Sequence, residues 1–261
     1  MFTSNPFAEL SATIPSEVIQ IYVGVMIALV VGGTLFDVWH KGSATYFFGS
    51  WRNARDKGSS PVGGGKVAGL AIQTALSDVA TSAEFGHGRR RAAHLLTMYG
   101  FLLYVVTTIV MVFCYPTPDA TTPAVLPQLW IAGALLVCLG GYWFWFFIRV
   151  DVAAEGNSPF RIMRADLFIL SLLASVSLGL IWAALQSVDS AGTNALLGLY
   201  LIATTVLFGS VPWSKFSHMF FKPAAAFEKR VSEATGSRSN LPPPADKPET
   251  FGSARERPHH Y

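Results

Sequence analysis

The sequence predicts an all-α membrane protein, a bundle of five transmembrane helices with its N-terminus outside and its C-terminus in the cytoplasm. Hydrophobic residues make up 51% of the chain and charged residues only 13%, whereas soluble domains carry about 25% charge. A bilayer core requires about 20 apolar residues per helix. Five stretches meet this requirement, namely residues 18–39, 94–114, 129–148, 165–186 and 194–214.

The distribution of positive charge predicts the orientation of these spans. Lys and Arg occur in the loop 41–93, in the turn 149–164 and in the C-terminal tail. They are absent from the N-terminal tail and from segments 115–128 and 187–193. Because Lys and Arg accumulate on the cytoplasmic side, this alternation places the N-terminus outside. The same bias explains the net charge of +3 without a nucleic-acid partner.

The chain divides into three regions. Residues 1–17 form a short outer tail, and residues 18–230 form the five-helix membrane domain with its cytoplasmic amphipathic loop 41–93. Residues 231–261 are rich in Ser, Pro, Gly and charge. Such a composition cannot bury a core, so we predict a disordered cytoplasmic tail.

Within the loop, aromatic residues lie beside basic residues in YFFGSWRNARDK, which suits a short helix in the membrane interface. Apolar residues then recur at three-to-four spacing from Val67 to Val79, which predicts an amphipathic helix. Its apolar face could contact the membrane, the bundle or a partner. In the third span, YWFWFF followed by Arg149 indicates an aromatic belt with a positive anchor. In the fifth, Pro212 should kink or end the helix.

Two histidines, His94 and His218, lie at corresponding ends of the second and fifth spans. These spans run in opposite directions, so both imidazoles are expected near the cytoplasmic surface. Two axial histidines at one depth suit a low-spin haem that transfers electrons. A porphyrin between packed helices buries its ring, and Arg91 and Lys215 are placed to pair with its propionates. The alternative is a pair of ordinary interfacial histidines.

His87 and His40 are alternative iron ligands. His87 precedes His94 by about two helical turns, although the glycines beside it disfavour a helix there. His40 reaches the same surface at the end of the first span. With Asp37 and Lys215, these two histidines are also candidates for proton exchange with a membrane quinone.

Two motifs, HLLTMYGFLLYVVTT after RRR and VPWSKFSHMFFKP, resemble the second and fifth helices of the nitrate-reductase gamma-subunit superfamily. Membrane subunits of quinone-interacting oxidoreductases share this plan. The short chain, without an iron–sulfur domain, is most similar to the membrane subunit associated with adenylylsulfate reductase in sulfur-oxidising bacteria. The resemblance covers residues 18–230. It implies haem b, quinone, a cytoplasmic oxidoreductase partner and a bacterial inner membrane.

The sequence departs from the pattern of that superfamily, which commonly binds two haems through four histidines. The positions of the outer pair hold Tyr104 and Tyr200. We therefore expect one inner haem, with both tyrosines filling the vacated space and forming local hydrogen bonds. One haem near one surface cannot transfer electrons across a hydrocarbon layer of about 30 Å. On ideal helices Tyr104 lies about 15 Å from His94, and Tyr200 lies about 27 Å from His218. The two tyrosines and the two histidines can therefore each share a membrane depth only if Pro212 shortens the fifth helix or His218 lies beyond the membrane core.

These observations predict a membrane-anchoring subunit that holds one b-type haem and links a cytoplasmic oxidoreductase, with adenylylsulfate reductase as the candidate, to the quinone pool. The alternative is a haem-free anchor that docks a soluble redox enzyme through loop 41–93. No nucleophile–base motif, phosphate loop or HExxH motif is present in the sequence, so we expect a non-catalytic redox subunit. The lack of charge at mid-membrane and of an inverted repeat disfavours a transporter.

Overall fold

The structure is a computed structural model that describes residues 3–40, 42–56, 58, 60, 62–83, 85, 87–149, 160–188, 192–214 and 218–237. Across these residues all regular structure is helical, with no β-strand. Four helices are long and apolar enough to cross a membrane, and a fifth apolar helix has 17 residues. The prediction of an all-α, multi-pass membrane protein is therefore confirmed. The count of five spans and the orientation of the termini stay predictions.

The α-helices are numbered here in chain order over the described residues. They are α1 (Pro6–Leu10), α2 (Ser16–His40), α3 (Ser43–Asp56), α4 (Gly64–Gln73), α5 (Gly88–Cys114), α6 (Val125–Trp143), α7 (Leu167–Gln186), α8 (Thr193–Gly209) and α9 (His218–Thr235). A π-helical segment extends α4 over Thr74–Ala80, and another extends α6 over Phe144–Ile148. The four long candidate spans are α2, α5, α6 with its extension, and α7.

The membrane helices are packed through small residues. A Cβ atom added at Gly100 of α5 would lie 2.7 Å from the carbonyl oxygen of Gly133 in α6, and one at Gly140 would lie 2.6 Å from that of Ala93. On an adjacent side of α6, a Cβ at Gly141 would lie 2.7 Å from the Leu173 side chain of α7. Because lipid supplies little hydrophobic force between helices, such close backbone contact is a main source of attraction.

The N-terminal tail contains a helix that sequence reasoning missed. In α1, Phe7 and Leu10 are buried, and the Asn5 side chain caps the helix by accepting hydrogen bonds from the amides of Phe7 and Ala8. The Asn5 amide also donates to the carbonyl oxygen of Tyr115, 3.0 Å away, at the end of α5. Part of the segment assigned as an outer tail is thus packed into the bundle.

The fifth apolar helix ends earlier than the sequence predicted, because Pro212 interrupts it. The α-helix stops at Gly209, and the residues Val211–Trp213 form a single 3-10 turn. A new helix, α9, begins at His218. The expected effect of Pro212 is confirmed. His218 accordingly does not end the fifth span but starts the helix that follows it.

Residues 42–80 and the part of α9 from Phe220 onward form a second compact unit. In it, the rings of Trp51 in α3 and Phe227 in α9 lie 5.4 Å apart. Arg230 of α9 forms an ion pair of 2.8 Å with Asp78. The helix α9 continues to Thr235, so residues 231–235 of the predicted tail are helical; the disorder expected over 238–261 lies outside the described residues.

Candidate functional site

His94 lies in the second turn of α5, and its side chain is half-buried. Its ring packs against Phe85, with 4.9 Å between ring centroids. His94 and Phe101 are seven residues apart and so share one face of the helix. Phe101 packs against Phe208 of α8 at 6.4 Å. The face of α5 that carries His94 is therefore the face turned toward α8.

The helix α8 ends close to this level. Phe208 is the last residue but one of α8, whereas His94 lies about 10 Å further along the axis of α5 than Phe101. At the level of His94, the chain after Gly209 has left the α-helical path and leads toward His218. The bundle thus lacks a continuous fifth helix at the depth where a haem was predicted.

His218, the predicted second ligand, is described only in its backbone. His218 is the first residue of α9, and its side chain lies outside the described residues, as does all of Lys215. The pairing of His94 with His218 therefore stays a prediction, and so does the role of Lys215.

Arg91, in the first turn of α5, connects this helix to the segment that precedes it. Its Nε donates a hydrogen bond of 2.7 Å to the carbonyl oxygen of Thr81. His87 is the N-cap residue of α5 and is exposed, and its side chain makes no capping hydrogen bond. The expectation that its flanking glycines end the helix agrees with this position. His87 is thus the residue immediately before the helix that carries His94.

His40 and Asp37 occupy the last turn of α2 and differ in exposure. The exposed His40 stacks on Phe36, with 5.5 Å between ring centroids and an interplanar angle of 6°. Asp37 is only 2% exposed. A buried carboxyl group in an apolar helix is costly and indicates a functional role. Of these two residues only Asp37 is buried in the bundle, and the role of both in proton exchange stays a prediction.

The two tyrosines at the predicted outer-haem positions are in direct contact. The hydroxyl oxygens of Tyr104 and Tyr200 lie 2.9 Å apart, and both residues are buried. Tyr104 stacks on Trp130 at 5.1 Å, and Tyr200 stacks on Trp182 at 5.8 Å. A Cβ at Gly179 would lie 2.9 Å from the Tyr104 hydroxyl. The tyrosines thus fill this space, and a porphyrin does not fit between them.

The contact between the tyrosines also fixes the relative level of α5 and α8. Tyr104 and Tyr200 therefore lie at one depth. The α-helix between Tyr200 and His218 is interrupted at Val211–Trp213, so the distance expected for an ideal helix does not apply to this interval. That His218 reaches the level of His94 stays a prediction.

A charged pair connects the end of the π-helical extension of α6 with the beginning of α7. Arg149 donates from Nε to Oδ1 of Asp166 at 3.1 Å and from Nη2 to Oδ2 at 2.5 Å. The Arg149 guanidinium also lies over the Trp145 ring, 4.1 Å from its centroid. The sequence had indicated Arg149 as an anchor, but its pairing with Asp166 depends on how the two helices pack and was missed.

The comparisons with known proteins give little further identification. The chain matches no protein-family model and no solved structure. It is 28% identical over 160 residues to the citrate utilization protein B of Escherichia coli, a match that covers 58% of this chain and 40% of that protein. The matched part thus spans less than half of the relative's length. The resemblance to nitrate-reductase gamma subunits stays a prediction.

Proposed function

We propose that this chain is the membrane subunit of an oxidoreductase complex and that it holds one b-type haem between His94 and His218. It would pass electrons between a cytoplasmic oxidoreductase and membrane quinone. The observation that carries the proposal is the position of His94, a half-buried imidazole beside an aromatic ring on the face of α5 that is turned toward α8.

The donor set suits haem iron in its chemistry. Neutral imidazole is a common axial ligand, and hydrophobic and aromatic surroundings retain the porphyrin. When bound, the haem would supply reversible one-electron transfer. The chain's residues would bind it from two sides, and Arg91, already fixed by its hydrogen bond to Thr81, would add positive charge for a propionate. Asp37 and His40 would exchange protons with a quinone at the same end of the bundle.

One haem is proposed rather than two because the second position is filled. Tyr104 and Tyr200 contact each other inside a shell of tryptophan rings. We therefore propose electron transfer confined to one side of the membrane. The five-span topology with a cytoplasmic C-terminus, and the location in a bacterial inner membrane, belong to the same proposal.

A haem-free anchor is the second candidate function. It is favoured by the second compact unit, which places two helices outside the spans and joins them to α9. Such a unit suits docking of a soluble redox enzyme. Adenylylsulfate reductase is the proposed partner from the resemblance, and the name of the similar protein, citrate utilization protein B, favours a partner from citrate metabolism as a second candidate.

The haem proposal is tested by the reduced-minus-oxidised absorption spectrum of the purified full chain. We expect haem b bands with one iron per chain, and loss of these bands in His94→Ala and in His218→Ala. Tyr104→Phe is the matched control and should retain them, since Tyr104 is not a candidate ligand. His87→Ala tests the alternative ligand and should also retain the bands if His94 and His218 hold the iron. A wild-type protein without haem bands would favour the anchor, and two irons per chain would contradict the single site.

A further inference from the structure

The helix formed by α4 and its π-helical extension, Gly64–Ala80, presents apolar side chains to the outside. Ile72 is 61% exposed, Leu76 is 63% exposed and Val79 is 36% exposed. At spacings of four and three residues these side chains lie along one face of a helix. We call Ile72, Leu76 and Val79 the apolar stripe.

The opposite side of the same helix is turned inward and carries polar side chains beside the half-buried Val67 and Leu70. Thr74 is 3% exposed and donates a hydrogen bond of 2.8 Å to the carbonyl oxygen of Leu70. The Asp78 side chain is 11% exposed and receives hydrogen bonds of 2.8 and 2.9 Å from the Arg230 guanidinium. The buried polar groups are thus satisfied within the second unit.

A helix on the surface of a soluble domain buries its apolar stripe, whereas this helix exposes Ile72, Leu76 and Val79 and turns Thr74 and Asp78 inward. The contact with Arg230 fixes this orientation, because rotating the stripe inward would break the bidentate ion pair. A contiguous apolar surface of this kind marks a membrane or protein interaction site.

The connectivity of the chain indicates what covers the stripe. The candidate span α2 ends at His40 and the candidate span α5 begins at Gly88, so the intervening segment leaves and re-enters the bilayer at the same face. Residues 42–80 contain four Lys and Arg against two Asp and Glu, and Lys66 on α4 is exposed. Exposed apolar side chains with a positive balance suit an interface that contains anionic lipids.

We propose that the apolar stripe is inserted into the bilayer surface, so that α4 and its extension form an interfacial helix. The lipid acyl chains cover Ile72, Leu76 and Val79, and the ion pair between Asp78 and Arg230 faces away from the lipid. The inference depends on the membrane spans and on the second unit. It is independent of the haem.

The test uses the full chain reconstituted in vesicles of phosphatidylcholine and phosphatidylglycerol. Cys114 and Cys138 are replaced by alanine, and a polarity-sensitive fluorophore is attached to Leu76→Cys or, as a second site, Ile72→Cys. We expect both probes to lose emission when the lipids carry brominated acyl chains and to resist quenching by aqueous iodide.

Gln73→Cys is the matched control, because Gln73 is exposed and lies about a quarter turn from the stripe in the same helix. We expect its probe to be quenched less by brominated lipid and more by iodide. Equal quenching at Leu76 and Gln73, or full access of iodide to both stripe probes, would overturn the proposal. A stripe that faces water in lipid vesicles would instead serve a protein partner.

Discussion

The two ends of the membrane bundle are held together by different kinds of contact. At the end that carries α1, the side chains in contact are neutral: the two tyrosine hydroxyls meet, and the Trp130 indole donates to Thr108 at 2.9 Å. At the end that carries His94, charged groups make the contacts, with Arg149 bound to Asp166 and Arg91 bound to a backbone carbonyl.

The difference has a physical consequence for where chemistry can occur. Phe7 packs on Trp130 at 5.8 Å and on Trp182 at 5.7 Å, so α1 closes the first end with aromatic rings. At the other end α8 stops at Gly209 and the chain turns. His40 at this end is exposed, whereas Asp37 is buried. The redox and proton-transfer site that we propose would therefore lie at the His94 end.

The largest effect is expected from breaking the charged pair at the His94 end. Arg149→Ala leaves the carboxylate of Asp166, which is 8% exposed, without its bidentate partner, and should lower the free energy of unfolding by about 3 kcal/mol. It also removes the cation–π contact with Trp145. Unfolding in mixed detergent micelles measures the loss.

Arg149→Ala combined with Asp166→Asn is the control for this interpretation. The asparagine removes the uncompensated charge while its side-chain oxygen can still accept from the Met163 amide, as Asp166 does at 2.9 Å. The double variant should regain part of the lost stability. A single variant as stable as the wild type would show that charge does not hold this end together.

A smaller effect is expected at the neutral end, from the pair Tyr104 and Tyr200. Tyr104→Phe, Tyr200→Phe and the double variant form a cycle that isolates the hydrogen bond between the hydroxyls. Hydrogen bonds between membrane helices contribute about 0.6 kcal/mol on average, so we expect a coupling energy of this size, measured by the same unfolding assay. A coupling energy of zero would mean that ring packing alone holds this contact.

The sequence predicted the membrane helices well because their signal is local. Apolar runs between charged loops mark the spans directly, and Pro212 marks the interruption of the last one. The sequence also predicted that Tyr104 and Tyr200 fill the space of the outer haem and form local hydrogen bonds; that the two hydroxyls bond to each other is seen only in the structure. These features could be predicted because each depends on residues close in the sequence or on the sequence separation between a tyrosine and a histidine.

The parts that the sequence did not reveal depend on distant contacts. The segment PFAEL is too short to predict as a helix, and it is fixed by Asn5 and by the rings of Trp130 and Trp182. The outward face of α4 could not be chosen, because apolar residues occur on more than one side of that helix and the ion pair with Arg230 decides between them. The helix α1 and the outward face of α4 are thus both determined by contacts with distant residues and not by local composition.

The smallest effect is expected for Asp78 and Arg230, a charged pair outside the spans. This pair shows how little a charged contact contributes near water, in comparison with the buried pair of Arg149 and Asp166. The hydrogen bond from Arg230 lowers the pKa of Asp78 below its ordinary value, against the opposing effect of burial. The stabilisation is therefore complete above about pH 4 and is lost as the pH falls through the lowered pKa. Solvent screening limits it to about 0.5 kcal/mol. Comparing thermal unfolding of wild type and Asp78→Asn at pH 7 and pH 3 measures it: the difference between them should shrink at pH 3, and a difference that grows in acid would reverse the assigned direction.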